Sequence, residues 1–148
     1  MSQAKFEKLL HEDALAGRVI KLAAVFESRL DYLLTEFFGV PEPRFVLYTH
    51  LISKLSLHQK TELLKNTDLG GSTRSRNNFI ASLLSLRKLR NALAHSYHLG
   101  EAEVSRLYSD LRIRKMVLGY PRSLSDEKRN LEVRFSKLWN QMYASNDT

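Results

Sequence analysis

Val19, Leu22, Phe26, Leu30, Leu33 and Phe37 follow spacings of three and four, which places them on one side of a long helix that Gly39 and Pro41 then end. Arg44 to Lys54 predicts a second helical region, and Ser56 with Gln59 makes a capping box for a short helix over LHQKTELLKN. Paired glycines and small polar residues in TDLGGSTRSRNN predict a loop, with the next helix starting near Asn77 or Asn78 and running from Phe79 to about Tyr97, before a stop at Gly100. Glu101 to Leu111 has helical spacing through Val104, Leu107, Tyr108 and Leu111, while RIRKMVLGYP reads either as its continuation or as an extended segment. Ser125, ahead of Asp126 and Glu127, predicts an N-cap with an acidic first turn, and Leu131, Phe135, Leu138 and Met142 form the last apolar stripe, widened by Trp139. No internal repeat, low-complexity tract or linker divides residues 1–148, so the pattern predicts one all-α domain, a bundle of four or five principal helices.

One stripe carries a charge. At about 100° per residue with Phe79 at zero, Leu83, Leu86, Leu93, Ala94 and Tyr97 fall within about 60° of it, and so does Arg90, near 20°. Asn91 and His95, at i and i+4, form a polar edge beside this sector with Arg87 at its margin. The plain account is an Arg that lies along the core and reaches water, or pairs with a carboxylate such as Glu27, near the margin of the preceding long helix. The combination asks for more. An Arg, an amide, an imidazole and a phenol at close spacing hold a phosphate, donate to its oxygens and move a proton, which are the requirements of phosphodiester cleavage.

Composition narrows the setting. The formal charge is +7 over 148 residues, which concentrates polyanions near the chain and favours RNA or an acidic partner. Arg74, Arg76, Arg87 and Lys88 are candidates for phosphate contact along the glycine loop and the following helix, with a solvated basic face as the ordinary reading. Phe45 and Tyr48 suit base stacking or packing. With no cysteine, disulfides and thiolate metal sites are excluded. No apolar run approaches the roughly 20 residues of a membrane span, and the N-terminus resembles neither a secretion signal nor a transit peptide, so a cytoplasmic protein without membrane partners is expected. His95 and His98 lack a third ligand at metal spacing, Ser82, Ser85 and Ser96 lack an identifiable base and acid, and DLGGST falls short of a phosphate-binding glycine loop. No metal or cofactor is expected.

The string RNALAHSY, Arg90 to Tyr97, resembles the signature of the HEPN superfamily: Arg, a polar residue, then His after four intervening positions. The additional Tyr97 resembles the form found in HEPN toxins paired with a nucleotidyltransferase antitoxin. The resemblance implies a helical fold that forms a homodimer, with two motifs facing across a cleft, and a metal-independent endoribonuclease, toxin, defence or prophage-associated. Carried onto this chain it implies His95 as acid/base, Arg90 as phosphate clamp, Asn91 as a positioning group, and Tyr97 as support or as a target of nucleotidyl modification. Independently of the resemblance, Glu27, near the margin of its helix's apolar face, is a further candidate to orient Arg90 or His95. A dimer suits the geometry, because residues five apart diverge by about 140° on one straight helix, whereas two symmetric copies converge. The alternatives are a catalytically inactive HEPN-like interaction or regulatory domain and a basic RNA-binding module.

Overall fold

The computed structural model describes residues 2–67, 73–95 and 99–146. They form eight helices: α1 (Ser2–Leu10), α2 (Asp13–Phe37), α3 (Phe45–Ser53), α4 (Leu57–Asn66), α5 (Thr73–Ala94), α6 (Glu101–Ser109), α7 (Leu111–Leu118) and α8 (Arg122–Asn146). Among the described residues there is no strand, and no helix is long and apolar enough to cross a membrane. The fold is all-α, with three long helices and five short ones among the described residues.

Local chemistry explains most boundaries. Gly39 takes φ +63, a left-handed conformation that glycine adopts without strain, and turns the chain after α2. Ser56 and Gln59 make the expected capping box: the Gln59 N–H donates to Ser56 Oγ (3.1 Å) and the Ser56 N–H donates to Gln59 Oε1 (2.9 Å). RIRKMVLGYP is mostly α7, a separate helix, because the Asp110 carboxylate accepts from the N–H groups of Arg112 (3.1 Å) and Ile113 (3.2 Å) and so starts a new helix.

Four boundaries differ from the sequence pattern. α1 was not expected; it is short, and Phe6 and Leu10 are its only fully buried described side chains. α5 starts at Thr73, so residues 73–78 are helical although their composition suggests a loop; Arg76 Nη1 donates to the Thr67 carbonyl (2.7 Å), which ties this polar first stretch to the end of α4. At its other end α5 stops at Ala94, three residues before Tyr97, and the His95 N–H closes a tighter turn onto Ala92 O (3.1 Å). Gly100 is the N-cap of α6. α8 begins directly after Pro121, whose fixed φ suits a helix start, and the Ser125 N–H already donates to Pro121 O (3.4 Å), so Ser125 lies inside the first turn instead of capping it.

The chain groups into two compact units: residues 1–24 with 82–131, and residues 25–81 with 132–148. In the first, Phe6, Leu15, Val19, Leu83, Leu86, Leu107, Ile113 and Val117 are buried, and Phe6 meets Tyr108 edge to face at 5.4 Å. Asp110, besides capping α7, lies 3.6 Å from Lys88 of α5, and Arg112 Nη1 donates to Ser82 Oγ (2.8 Å), so charged and polar contacts fix α7 against α5. The Ser123 hydroxyl donates to the Met116 carbonyl and ties the start of α8 to α7. In the second unit, Phe26, Leu30, Leu33, Leu34, Leu64, Phe79 and Leu138 are buried, and Tyr32 stacks on Trp139 at 5.4 Å.

The second unit also buries an ion pair. Lys60 of α4 and Asp31 of α2 are only 5% and 7% exposed, with the ammonium 2.8 Å from Oδ1. Burial pushes the Asp31 carboxyl above its ordinary range; Lys60 opposes that rise, and Glu27, one turn back on α2, adds to it. Removing one partner of such a pair strands the other charge in the interior, whereas replacing both with apolar groups relieves both desolvation costs. Lys60→Ala is therefore expected to destabilise by about 3–5 kcal/mol, and Asp31→Leu with Lys60→Met to lie near wild type, both read by urea unfolding. Because unfolding returns the carboxyl to its ordinary value of 3.8, stability contributed by the raised value falls as pH rises through that range, and Asp31→Asn should flatten this part of the pH profile.

Candidate nucleic-acid site

On α5 the buried positions are Phe79, Ile80, Ser82, Leu83, Leu86, Leu89, Ala92 and Leu93. Projected at about 100° per residue, the arc used by the last two turns swings toward Leu89 and Ala92 and away from Ala94, which is exposed. Arg90 thus lies at the edge of the buried arc and is half-buried. Arg87, Arg90, Asn91 and Ala94 stand at i, i+3, i+4 and i+7, one continuous stripe that passes from half-buried to exposed, and exposed His95 follows it off the helix end.

This corrects the projected picture in two ways. Arg90 is a rim residue, and His95 lies one residue past the end of α5, in the turn that its N–H closes on Ala92 O. Tyr97, the modification or support candidate, and His98 lie outside the described residues. Neither the Arg90 guanidinium nor the His95 imidazole has a hydrogen-bond or ion-pair partner among the described residues. Asn91 is exposed.

The other candidates fare differently. Arg87 is half-buried on the same stripe and has interactions of its own, and Lys88 pairs with Asp110. Arg74 and Arg76 belong to the second unit, where Arg74 is exposed and Arg76 donates to Thr67 O. Glu27 also belongs to the second unit, is half-buried and acts on Asp31. Among the described residues no group of three or more His, Cys, Asp or Glu gathers to hold a metal.

Charge is divided unevenly between the units. The first carries 14 Lys and Arg against 8 Asp and Glu, the second 9 against 8, so +6 of the +7 belongs with Arg90, Asn91 and His95. Sequence reading saw the total without its partition, because the first unit joins two stretches that are distant along the chain. It also passed over Lys60, whose signal was the same as that of Arg90: Leu57, Lys60, Thr61 and Leu64 are spaced i, i+3, i+4 and i+7, a cation on an apolar stripe.

Comparison with protein-family models, curated proteins and solved structures gives no match.

A rim position makes a stability prediction. Arg90→Ala should change the unfolding free energy by less than about 1 kcal/mol, since it removes no buried partner, whereas Leu89→Ala, one residue earlier and fully buried, should cost about 2–5 kcal/mol in the same urea titration. Equal losses would make Arg90 a structural charge.

Proposed function

We propose that this chain is a HEPN-like, metal-independent endoribonuclease whose active site is completed by a second copy. The observation that carries the reading is that half-buried Arg90 and exposed Asn91 and His95 follow closely at the end of α5, in the unit that holds nearly all of the excess positive charge. A phosphodiester brought there by that charge meets the planar, paired donors of Arg90, which suit two phosphate oxygens. His95 takes the proton of the ribose 2′-hydroxyl as its oxygen attacks the adjacent phosphorus, and the bond from phosphorus to the 5′ oxygen breaks. The His95 of the second copy returns a proton to that leaving oxygen, and Arg90 offsets the charge that develops on the phosphoryl oxygens. Asn91 holds the phosphate or ribose in line. Restraint by an antitoxin, and modification of Tyr97 by a nucleotidyltransferase, belong to the same reading.

A second reading rests on the same charge division. Arg90 and His95 have no side chain orienting them within the described residues, which suits an RNA-binding module without chemistry.

Cleavage of mixed single-stranded RNA in EDTA separates the two. The nuclease reading expects cutting by wild type, a loss on the order of 100-fold or more in both Arg90→Ala and His95→Ala, and a dimer in all three by size-exclusion light scattering. Undiminished activity in His95→Ala, or a monomer that cuts, contradicts it. Binding without cutting supports the module.

A further inference from the structure

Helix α3, FVLYTHLIS, contains no Lys, Arg, Asp or Glu. A helix with no Lys, Arg, Asp or Glu, whose polar side chains are Tyr48, Thr49, His50 and Ser53, ordinarily buries most of its surface. α3 does not: Ile52 is buried and Phe45 and Thr49 are half-buried on its inner side, with Phe45 edge to face against Tyr32 at 5.0 Å. Its outer side presents Val46 (73% exposed), Leu47 (57%) and Leu51 (51%) with exposed His50 among them, and Tyr48 (41%) and Phe38 (53%) extend the apolar surface toward the end of α2. Five such side chains at about half exposure leave several hundred Å² of apolar area, at the upper end of the ~300–600 Å² found for the largest patch on a monomer.

The surroundings of this patch describe its occupant. Where Gly39 turns the chain out of α2, Phe38, Val40, Pro41, Arg44 and Tyr48 line an open, partly polar socket of about 310 Å³. Arg44 stands at the N-terminal end of α3 and Lys54 at its C-terminal end, both exposed. Arg44 occupies the N-cap position without a side-chain capping bond, and no acidic residue stands in the first turn, so the positive end of the helix dipole meets a cation and lacks the carboxylate that usually offsets it. An incoming carboxylate would satisfy both.

We infer that α3 is a docking surface for an acidic amphipathic helix of a partner protein. Its leucine face covers Val46, Leu47 and Leu51, one bulky side chain enters the socket beside Phe38 and Tyr48, and carboxylates at its two ends meet Arg44 and Lys54. A second copy of this chain fits less well, because antiparallel pairing of two α3 helices sets Leu47 against Leu51 but also Arg44 against Lys54, like charges at both ends. A flat lipid surface would leave the socket unfilled. The surface lies in the near-neutral unit, apart in sequence from Arg90 and His95, and its use does not depend on the nuclease reading.

Two synthetic helix-forming peptides test the inference by fluorescence anisotropy: both carry leucines at i, i+3, i+4 and i+7, one with glutamates flanking this face and the other with lysines. The glutamate peptide should bind at least about tenfold more tightly than the lysine peptide, a difference of about 1.4 kcal/mol. Leu47→Glu and Leu51→Glu, at exposed positions where thermal unfolding should match wild type, should each weaken binding at least about tenfold. Arg44→Glu with Lys54→Glu should reverse the preference between the peptides, a change that general loss of structure does not produce. Equal affinity for the two peptides, or no binding of either at about 100 μM, overturns the inference. So does binding to anionic phosphatidylglycerol vesicles, or self-association in light scattering, that Leu47→Glu removes. Unchanged RNA binding and cleavage in Leu47→Glu keeps the outcome separate from that of the nuclease test.

Discussion

A cation on the apolar stripe of a helix must be paired inside or solvated outside, because an unpaired charge in a low-dielectric interior costs several kcal/mol. This chain meets that constraint twice with opposite results. Lys60 goes in, and Asp31 is buried with it. Arg90 stays at the rim, because the buried arc of α5 rotates toward Leu89 and Ala92 over its last turns. One cation helps join α4 to α2; the other stays half-buried at the edge of the buried arc of α5.

Release of the last residues from the helix has a similar consequence. Had α5 continued to Tyr97, His95 would have stayed on the far side of the polar edge from Arg90, held by backbone hydrogen bonds. Ending at Ala94 leaves exposed His95 in a turn, one residue past the stripe of Arg87, Arg90, Asn91 and Ala94. For the proposed cleavage reaction this means that a second copy would complete a site whose members already share one exposed end of one helix.

The helices that carry the core were legible from the spacing of apolar residues, and the end of α2 and both ends of α4 were read because Gly39 and the Ser56–Gln59 box act locally. What was lost depends on tertiary context. The start of α5 looked like a loop because its polar first turns face solvent and are held partly by Arg76 reaching back to Thr67. The separate start of α7 needed Asp110, a single side chain with two jobs. Of the site, the residue types were visible in RNALAHSY, but the rim position of Arg90 was not, since periodicity reports the centre of an apolar arc and not how that arc drifts as neighbouring helices change. The partition of charge and the uncovered outer side of α3 were hidden for the same reason: both belong to units assembled from distant stretches of chain.

The central claim is that the exposed end of α5 directs a 2′-hydroxyl onto the neighbouring phosphate. Mass spectrometry of the ends of RNA fragments produced in EDTA tests it most directly. The account predicts 2′,3′-cyclic phosphate on one side of each cut and 5′-hydroxyl on the other, because the attacking oxygen belongs to the substrate. Fragments ending in 3′-hydroxyl and 5′-phosphate would show that water attacked instead, and would contradict it.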